Sequence, residues 1–240
     1  MGLLKKMERG IKSAIPSRYR KYFRSSKFQL IMERNQPIDL IVHVGAHYGE
    51  DAALYEGLGA RTVLWVEADP DTHEVLRSEV SKRQGACRHI PHLGLVSENS
   101  GETFEFYRFA GDGASNSVSK STDLWKERFQ QSGETGETLE LVSQTLSEIL
   151  EHYDIKLEKF GTSMLVVDVQ GHELAVLKGS EGRIGEFDFL KVEVSRAAFY
   201  ESGVLFPELD SHICGKGYRL VSHRYARVPK HGDVLYQRGA

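Results

Sequence analysis

Two neighbouring runs constrain this chain more than any other feature: Ile41-Val-His-Val-Gly-Ala-His-Tyr-Gly-Glu50 and Val63-Leu-Trp-Val-Glu-Ala-Asp69. Their apolar parts are too short and too β-branched for helices and read as buried strands. The first enters a glycine-bearing turn and then a helix, and the second stops at an acid. This order is the layout of a nucleotide-cofactor site at the tips of a parallel sheet, where turn glycines let backbone N–H groups approach a ligand. Glu67 then stands where both hydroxyls of a ribose could be bound, with Ala68 beside the base.

The glycine spacing separates cofactors. A dinucleotide needs G-x-G-x-x-G, so that its pyrophosphate rests on a helix N-terminus. Here Gly45 and Gly49 have three residues between them, and Glu50 and Asp51 follow. Two acids repel a pyrophosphate and tolerate a cation. A cofactor carrying adenosine, an ammonium and a sulfonium fits better, and S-adenosylmethionine is that cofactor. Backbone at Gly45, Ala46, His47 and Gly49 is expected to meet its methionine part, and Leu93 to flank the adenine. An NAD-dependent sugar-modifying oxidoreductase is the rival enzyme, disfavoured by this spacing. A protein that binds the cofactor without turnover is the second rival.

The rest of the chain alternates strand and helix patterns. Strands are expected over 39–44, 62–67, 87–91, 164–168, 187–194, 218–223 and 234–237, with helices over 50–58, from 70, from 145, over 171–178 and over 207–214. Thr145-Leu-Ser-Glu148 is a capping-box pattern. The segment 95–107 reads as a hairpin turning at 99–101, 111–121 as a surface loop, 133–136 as a turn and 140–142 as a short strand. The prediction is a single doubly wound, Rossmann-like α/β domain over 37–240, with a mainly parallel sheet and a hairpin insertion.

Composition adds a charge asymmetry. Residues 1–27 hold nine Lys or Arg and one acid, whereas the remainder holds 22 bases and 33 acids. Within this basic arm (1–36), Leu3, Leu4, Met7, Ile11, Ala14 and Ile15 share one face of a predicted N-terminal helix. The pattern suits either packing on the domain or peripheral contact of residues 1–24 with an anionic membrane. Nucleic acid is not expected as a partner, because few aromatics interleave with the bases. Cys87 and Cys214 are isolated, which suggests a reducing cytoplasm, with the inner face of the membrane as the peripheral location.

With these residues in place, the chain resembles the FkbM-type family of S-adenosylmethionine-dependent methyltransferases. The resemblance rests on Val42-His-Val-Gly-Ala-His-Tyr-Gly49, on Val66-Glu-Ala68, and above all on Leu165-Val-Val-Asp-Val-Gln-Gly-His-Glu-Leu-Ala-Val-Leu-Lys-Gly179. It covers roughly residues 38–225 and leaves the basic arm outside. His43 stands where the family has an acid, Val166 where it has Lys, Gln170 where it has Glu and Ser147 where it has Asp. Gln170 cannot transfer protons, and Glu50 or Asp51 is left to compensate for His43.

The resemblance implies a class I methyltransferase fold and O-methylation of a hydroxyl, on a sugar in a glycan or on a natural product; the basic arm would suit a lipid-linked acceptor. Methyl transfer from a sulfonium needs an aligned acceptor and a group to take its proton. Ligands of open α/β sheets lie beyond the carboxyl ends of the strands. Asp168, His172 and Glu193 fall there and are the catalytic candidates, Asp168 also being able to hold the cofactor's ammonium. Asn116, Ser117, Arg196 and Tyr200 are acceptor-site candidates by position alone. Asp168 and Glu193 are a thin ligand set, so a divalent metal is an alternative and not the prediction.

Overall fold

The computed structural model describes residues 31–128, 133–180, 182–223 and 231–239. In chain order their strands are β1 (Leu40–Val44), β2 (Thr62–Glu67), β3 (Arg88–Leu93), β4 (Leu95–Val96), β5 (Thr103–Phe109), β6 (Glu134–Gln144), β7 (Ser163–Val167), β8 (Phe189–Ser195), β9 (Tyr218–His223) and β10 (His231–Arg238). The helices that matter here are α1 (Ala52–Gly57), α2 (Pro70–Ser81), α3 (Asp123–Arg128), α4 (Leu146–His152), α5 (Glu173–Lys178) and α6 (Phe206–Gly215).

Seven strands make the central sheet in the order β3-β2-β1-β7-β8-β10-β9. All neighbours from β3 through β8 run parallel, and β10 is antiparallel to both β8 and β9. The mainly parallel, doubly wound reading therefore holds. Burial explains why: β1 and β7 are covered on both sides and present no polar alternation. Leu40, Val42 and Val44 pack with residues of α4, α5 and α6 on one face. Ile41 packs with Ala52, Tyr55, Leu76 and Val80 from α1 and α2 on the other.

Local signals account for several boundaries. Asp69 accepts the N–H groups of Asp71 and Thr72 and starts α2, with Pro70 at its first position. The capping box of α4 is complete: Thr145 accepts the Glu148 N–H, and the Glu148 carboxylate accepts the Thr145 N–H. Such a box satisfies two orphan donors at once.

The insertion differs from the expectation. The runs at 95–96 and 103–109 do not pair with each other: β6 lies between β4 and β5, parallel to the first and antiparallel to the second. The hairpin partner of β5 is thus β6, and 133–136, read as a turn, leads into and forms part of that strand. The cause is solvation. Most of β6 is exposed, including Glu134, Glu137 and Glu140, so no buried alternation marks it.

Residues 1–24 lie outside the described residues, and with them the predicted basic helix. Residues 31–34 are helical, and Met32 is buried in the core against α1 and α2. Among the described residues no helix is long and apolar enough to cross a membrane.

Candidate active site

A cleft of about 560 Å³, open to solvent, lies above the carboxyl ends of β1, β2 and β7. Its floor is the turn after β1. Gly45 has φ +81°, and a Cβ there would sit 1.8 Å from the carbonyl oxygen of Asp168. The Asp168 N–H donates to the Val44 carbonyl (3.0 Å) and the Gly45 N–H to that of Val66 (2.9 Å). Three strand tips are therefore drawn together at a point where only glycine fits.

Glu67 lines this cleft with 8 % of its surface exposed. Its carboxylate accepts the backbone N–H groups of His47 (2.8 Å), Ala68 (2.9 Å) and Asp69 (2.9 Å). Burial nonetheless raises the carboxyl to about 7, against the opposing pull of those three donors. An ionised carboxylate has about four acceptor positions, so about one is left for a ligand. A second ribose hydroxyl would have to share or displace an N–H contact.

His47 clamps the loop after β5 over the cleft. Its Nδ1 lies 2.7 Å from a Glu50 oxygen and its Nε2 2.9 Å from the Asp112 carbonyl, which also accepts the Tyr48 hydroxyl (2.8 Å). Both acceptors need a proton on the ring, so the imidazole is doubly protonated. Burial opposes that charge, but the bonds to Glu50 and Asp112 outweigh it and raise the group to about 9. A raised folded-state value means the clamp contributes fully below 6.5, the ordinary histidine value, and fades as pH rises through about 9. The difference in melting temperature between wild type and His47→Ala should accordingly be largest near neutrality and shrink through that window. A difference that stays constant to high pH would disprove the clamp.

Further back, the same loop is tied to α2. Arg108 donates to both Asp69 oxygens (2.9 and 3.1 Å), Asn116 Nδ2 donates to Asp69 (3.1 Å), and Asn116 Oδ1 accepts the Phe109 N–H (2.8 Å). Asn116 faces the cleft, but its amide is committed to holding the loop.

Beside the cleft, Gln170 joins two carboxylates. Its Nε2 donates to Asp168 (2.8 Å) and Glu193 (2.9 Å), and its Oε1 accepts the Tyr200 hydroxyl (2.8 Å). The amide is locked in one orientation with both donors used. Gln170 sits at φ +55° and Gly171 at φ +99°. Glu173 accepts the N–H groups of Val169 (3.3 Å) and Gly171 (2.9 Å) and so holds the turn. Glu193 also meets His231 Nε2 at 3.0 Å. Burial and the nearby Asp233 raise Asp168, while burial and Asp168 raise Glu193 further. Burial lowers His231, but the bond to Glu193 overrides it and brings the ring up to about 9.

A second cavity, of about 340 Å³, opens on the other side of Gln170 and Gly171, at the tips of β8 and β10. Among the described residues, Asp168, Glu193 and Asp233 have oxygens within 4.8 Å of one another and could hold a metal ion. Lys191, 3.9 Å from Asp233, and His231 already supply positive charge to this group.

Of the residues picked out from the sequence, Gly45, His47, Glu67, Ala68, Asn116, Asp168 and His172 line the cleft. Others do not. Ala46 is buried in the core on the α1 side, and Gly49 packs against Leu76. Leu93 is 45 % exposed because it ends β3 facing outward; Gly94, Leu95 and Val96 line the cleft instead. Ser117 is buried and its hydroxyl donates to the Gln170 carbonyl (2.7 Å), which makes it a brace. Arg196 is exposed and lines neither cavity, whereas Tyr200 lines the second. His172 is a weaker base than expected: burial lowers it to about 4, its Nε2 lies 3.0 Å from the Ser97 hydroxyl, and its ring meets Phe104 edge-on. His43 is turned away from the cleft, buried between Tyr55 and Trp65. Neither Glu50 nor Asp51 lines the cleft, whereas Asp168 and Glu67 both do.

Sequence reasoning missed His231 and the bridging role of Gln170. A glutamine between Asp168 and Gly171 was a usable signal, but nothing local marked a histidine at the start of the last strand.

A family model described as a methyltransferase FkbM domain matches residues 43–220. No curated protein matches the chain. Among solved structures, the methyltransferase FkbM of Methylobacillus flagellatus KT is similar at 18% identity and TM-score 0.50, with 84% of this chain and 44% of that one covered. This chain thus spans less than half the length of that relative. TrmK of M. capricolum, in complex with S-adenosyl-homocysteine, is similar at 7% identity and TM-score 0.49, over 89% of this chain and 68% of that one. Sp1610 of Streptococcus pneumoniae, a putative tRNA (m1A22) methyltransferase in complex with S-adenosyl-L-methionine, is similar at 10% identity and TM-score 0.48, over 90% and 73%. At 18% identity the likeness to the M. flagellatus protein is one of fold.

Proposed function

This chain belongs to the FkbM methyltransferase family, and we propose that its cleft takes S-adenosylmethionine and that it methylates a hydroxyl of a sugar in a glycan or of a natural product. The observation that carries the reading is the Glu67 carboxylate at the tip of β2, facing the same cleft as the Gly45 turn and Asp168. Those residues fit the cofactor's parts: Glu67 the ribose, Ala68 the adenine, Asp168 the ammonium. The cofactor supplies a methyl group already activated on a sulfonium. The chain must then hold the acceptor in line and receive its proton. Asp168 faces the cofactor side and Glu193 the other cavity, so we assign Asp168 to binding and Glu193 to the acceptor's proton. Gln170 donates to both and fixes their geometry.

Calorimetric titration should give binding of S-adenosylmethionine and none of NAD; the reverse would favour the oxidoreductase. With a glycan extract, wild type should release S-adenosylhomocysteine, and Glu193→Gln should lower that release by about 100-fold or more while still binding the donor. Donor binding without release from any extract would leave a non-catalytic binding protein. Neither the fold nor the family excludes a nucleic-acid acceptor, so RNA belongs among the acceptors tried.

A cytoplasmic protein with a lipid-linked acceptor, touching the inner face of the membrane through residues 1–24, is part of the same proposal. Its support is the arm's charge and apolar stripe. Removing residues 1–24 should abolish co-sedimentation with anionic liposomes, and unchanged partition would reject this contact.

A further inference from the structure

We infer that the second cavity is the acceptor site and that it takes an uncharged hydroxyl compound with an apolar face, met by Glu193 and its partner His231. The inference rests on the methyltransferase reading and deepens it. The cavity is a hollow of about 340 Å³, open solvent included, and it adjoins the donor cleft where Gln170 of one lining is followed by Gly171 of the other. Its walls are largely apolar: Val194, Ala197, Phe199, Tyr200 and Val204, with the bare backbone of Gly171 and Gly203. Such walls suit the face of a ring.

Most of the polar groups that reach the cavity are used elsewhere. The Glu173 carboxylate holds the Val169–Gly171 turn, the Tyr200 hydroxyl donates to Gln170, and the Ser195 hydroxyl donates to the Ala197 carbonyl. Glu193, whose two oxygens already accept Gln170 Nε2 and meet His231, keeps about two further acceptor positions for a ligand. Charge selects the class. Asp168 and Asp233 stand behind Glu193, so an anion is repelled; a cation would have to displace His231 from Glu193.

The roles follow from balance of the step. The acceptor oxygen bonds to the methyl carbon, the carbon–sulfur bond breaks with its electron pair left on sulfur, and the acceptor's proton passes to the Glu193 carboxylate. That carboxylate must be ionised beforehand, although burial, Asp168 and Glu173 all disfavour it. His231, at 3.0 Å, is the positive charge that opposes them and favours the ionised form. His231 is therefore a positioning residue, acting through Glu193.

The test uses trans-cyclohexane-1,2-diol as probe and cyclohexanecarboxylate as its anionic counterpart, both followed by saturation-transfer NMR. The diol should bind and the carboxylate should not. Gly203→Leu should weaken the diol by about tenfold or more while changing affinity for S-adenosylhomocysteine by less than about twofold. A Cβ at Gly203 meets nothing closer than 3.4 Å, so the backbone accepts the change. Ala197→Phe blocks the same cavity should Gly203→Leu fail to bind S-adenosylhomocysteine. In a separate NMR titration the His231 ring should titrate near 9 in wild type and markedly lower in Glu193→Gln. No diol binding, diol binding that survives both blocking variants, equal binding of the carboxylate, or a His231 titration unmoved by Glu193→Gln would each overturn the inference. Loss of S-adenosylhomocysteine binding by wild type would instead strike the donor assignment.

Discussion

Glu67→Gln is expected to weaken S-adenosylmethionine binding by about two orders of magnitude, or about 2–3 kcal/mol. In wild type both carboxylate oxygens are acceptors, and three backbone N–H groups converge on them. An amide replaces one oxygen with a donor. Whichever way it turns, an NH₂ group faces a backbone N–H, and a buried donor loses its partner. The position left for a ribose hydroxyl is reduced or lost at the same time. Protonation should imitate the substitution in part. Burial raises this group to about 7, so donor affinity should fall as pH drops below that value. The sign for stability is opposite: the folded state holds the proton more tightly than the unfolded chain, so stability contributed by this group declines as pH rises from 4.5 through about 7. Calorimetry across this range checks both. Equal affinity of wild type and Glu67→Gln at pH 8 would remove Glu67 from the donor site.

Gly45→Ala should be the most damaging single-methyl change in the described residues, costing more than about 3 kcal/mol and abolishing donor binding. A left-handed backbone already costs an L-residue about 1–2 kcal/mol. Here the new Cβ would also sit 1.8 Å from the Asp168 carbonyl oxygen, an immovable backbone atom. Relief requires β1 and β7 to part at their tips, which breaks the 3.0 Å bond from Asp168 N–H to Val44. Gly49→Ala is the control. Its φ of +73° carries a similar backbone cost, but its Cβ would meet the far end of the Leu76 side chain at 2.7 Å, which can turn aside. Urea denaturation should rank the two clearly. A Gly45→Ala protein within about 1 kcal/mol of wild type would mean that the tips are not packed as described.

Much of the lining of the cleft was legible because it is local. A short β-branched run, a glycine and an acid at a strand end each report on a few bonds of chain, and Gly45, Glu67 and Asp168 were found that way. Leu93, Ala46 and Gly49 were misplaced for one shared reason. They occupy the right segments, but which way each points is set by its packing partners: Leu76 for Gly49, the core on the α1 side for Ala46 and solvent for Leu93. The reversed hairpin has a related cause. An exposed strand such as β6 buries no alternating face, so its pairing leaves no trace in its own residues.

What the sequence by itself determined is the parallel sheet, its glycine turn and the carboxylates at its tips, because steric fit and burial act within single segments. The tertiary structure alone decided that Gln170 would bridge Asp168 to Glu193, that His231 would face Glu193, and that Tyr200 would close a second cavity. Those contacts join strands distant in the chain, and their existence depends on which strand lies beside which and in what register. The pairing of β10 with β8 places His231 opposite Ser195, and a slip of one residue would turn its ring to the other face.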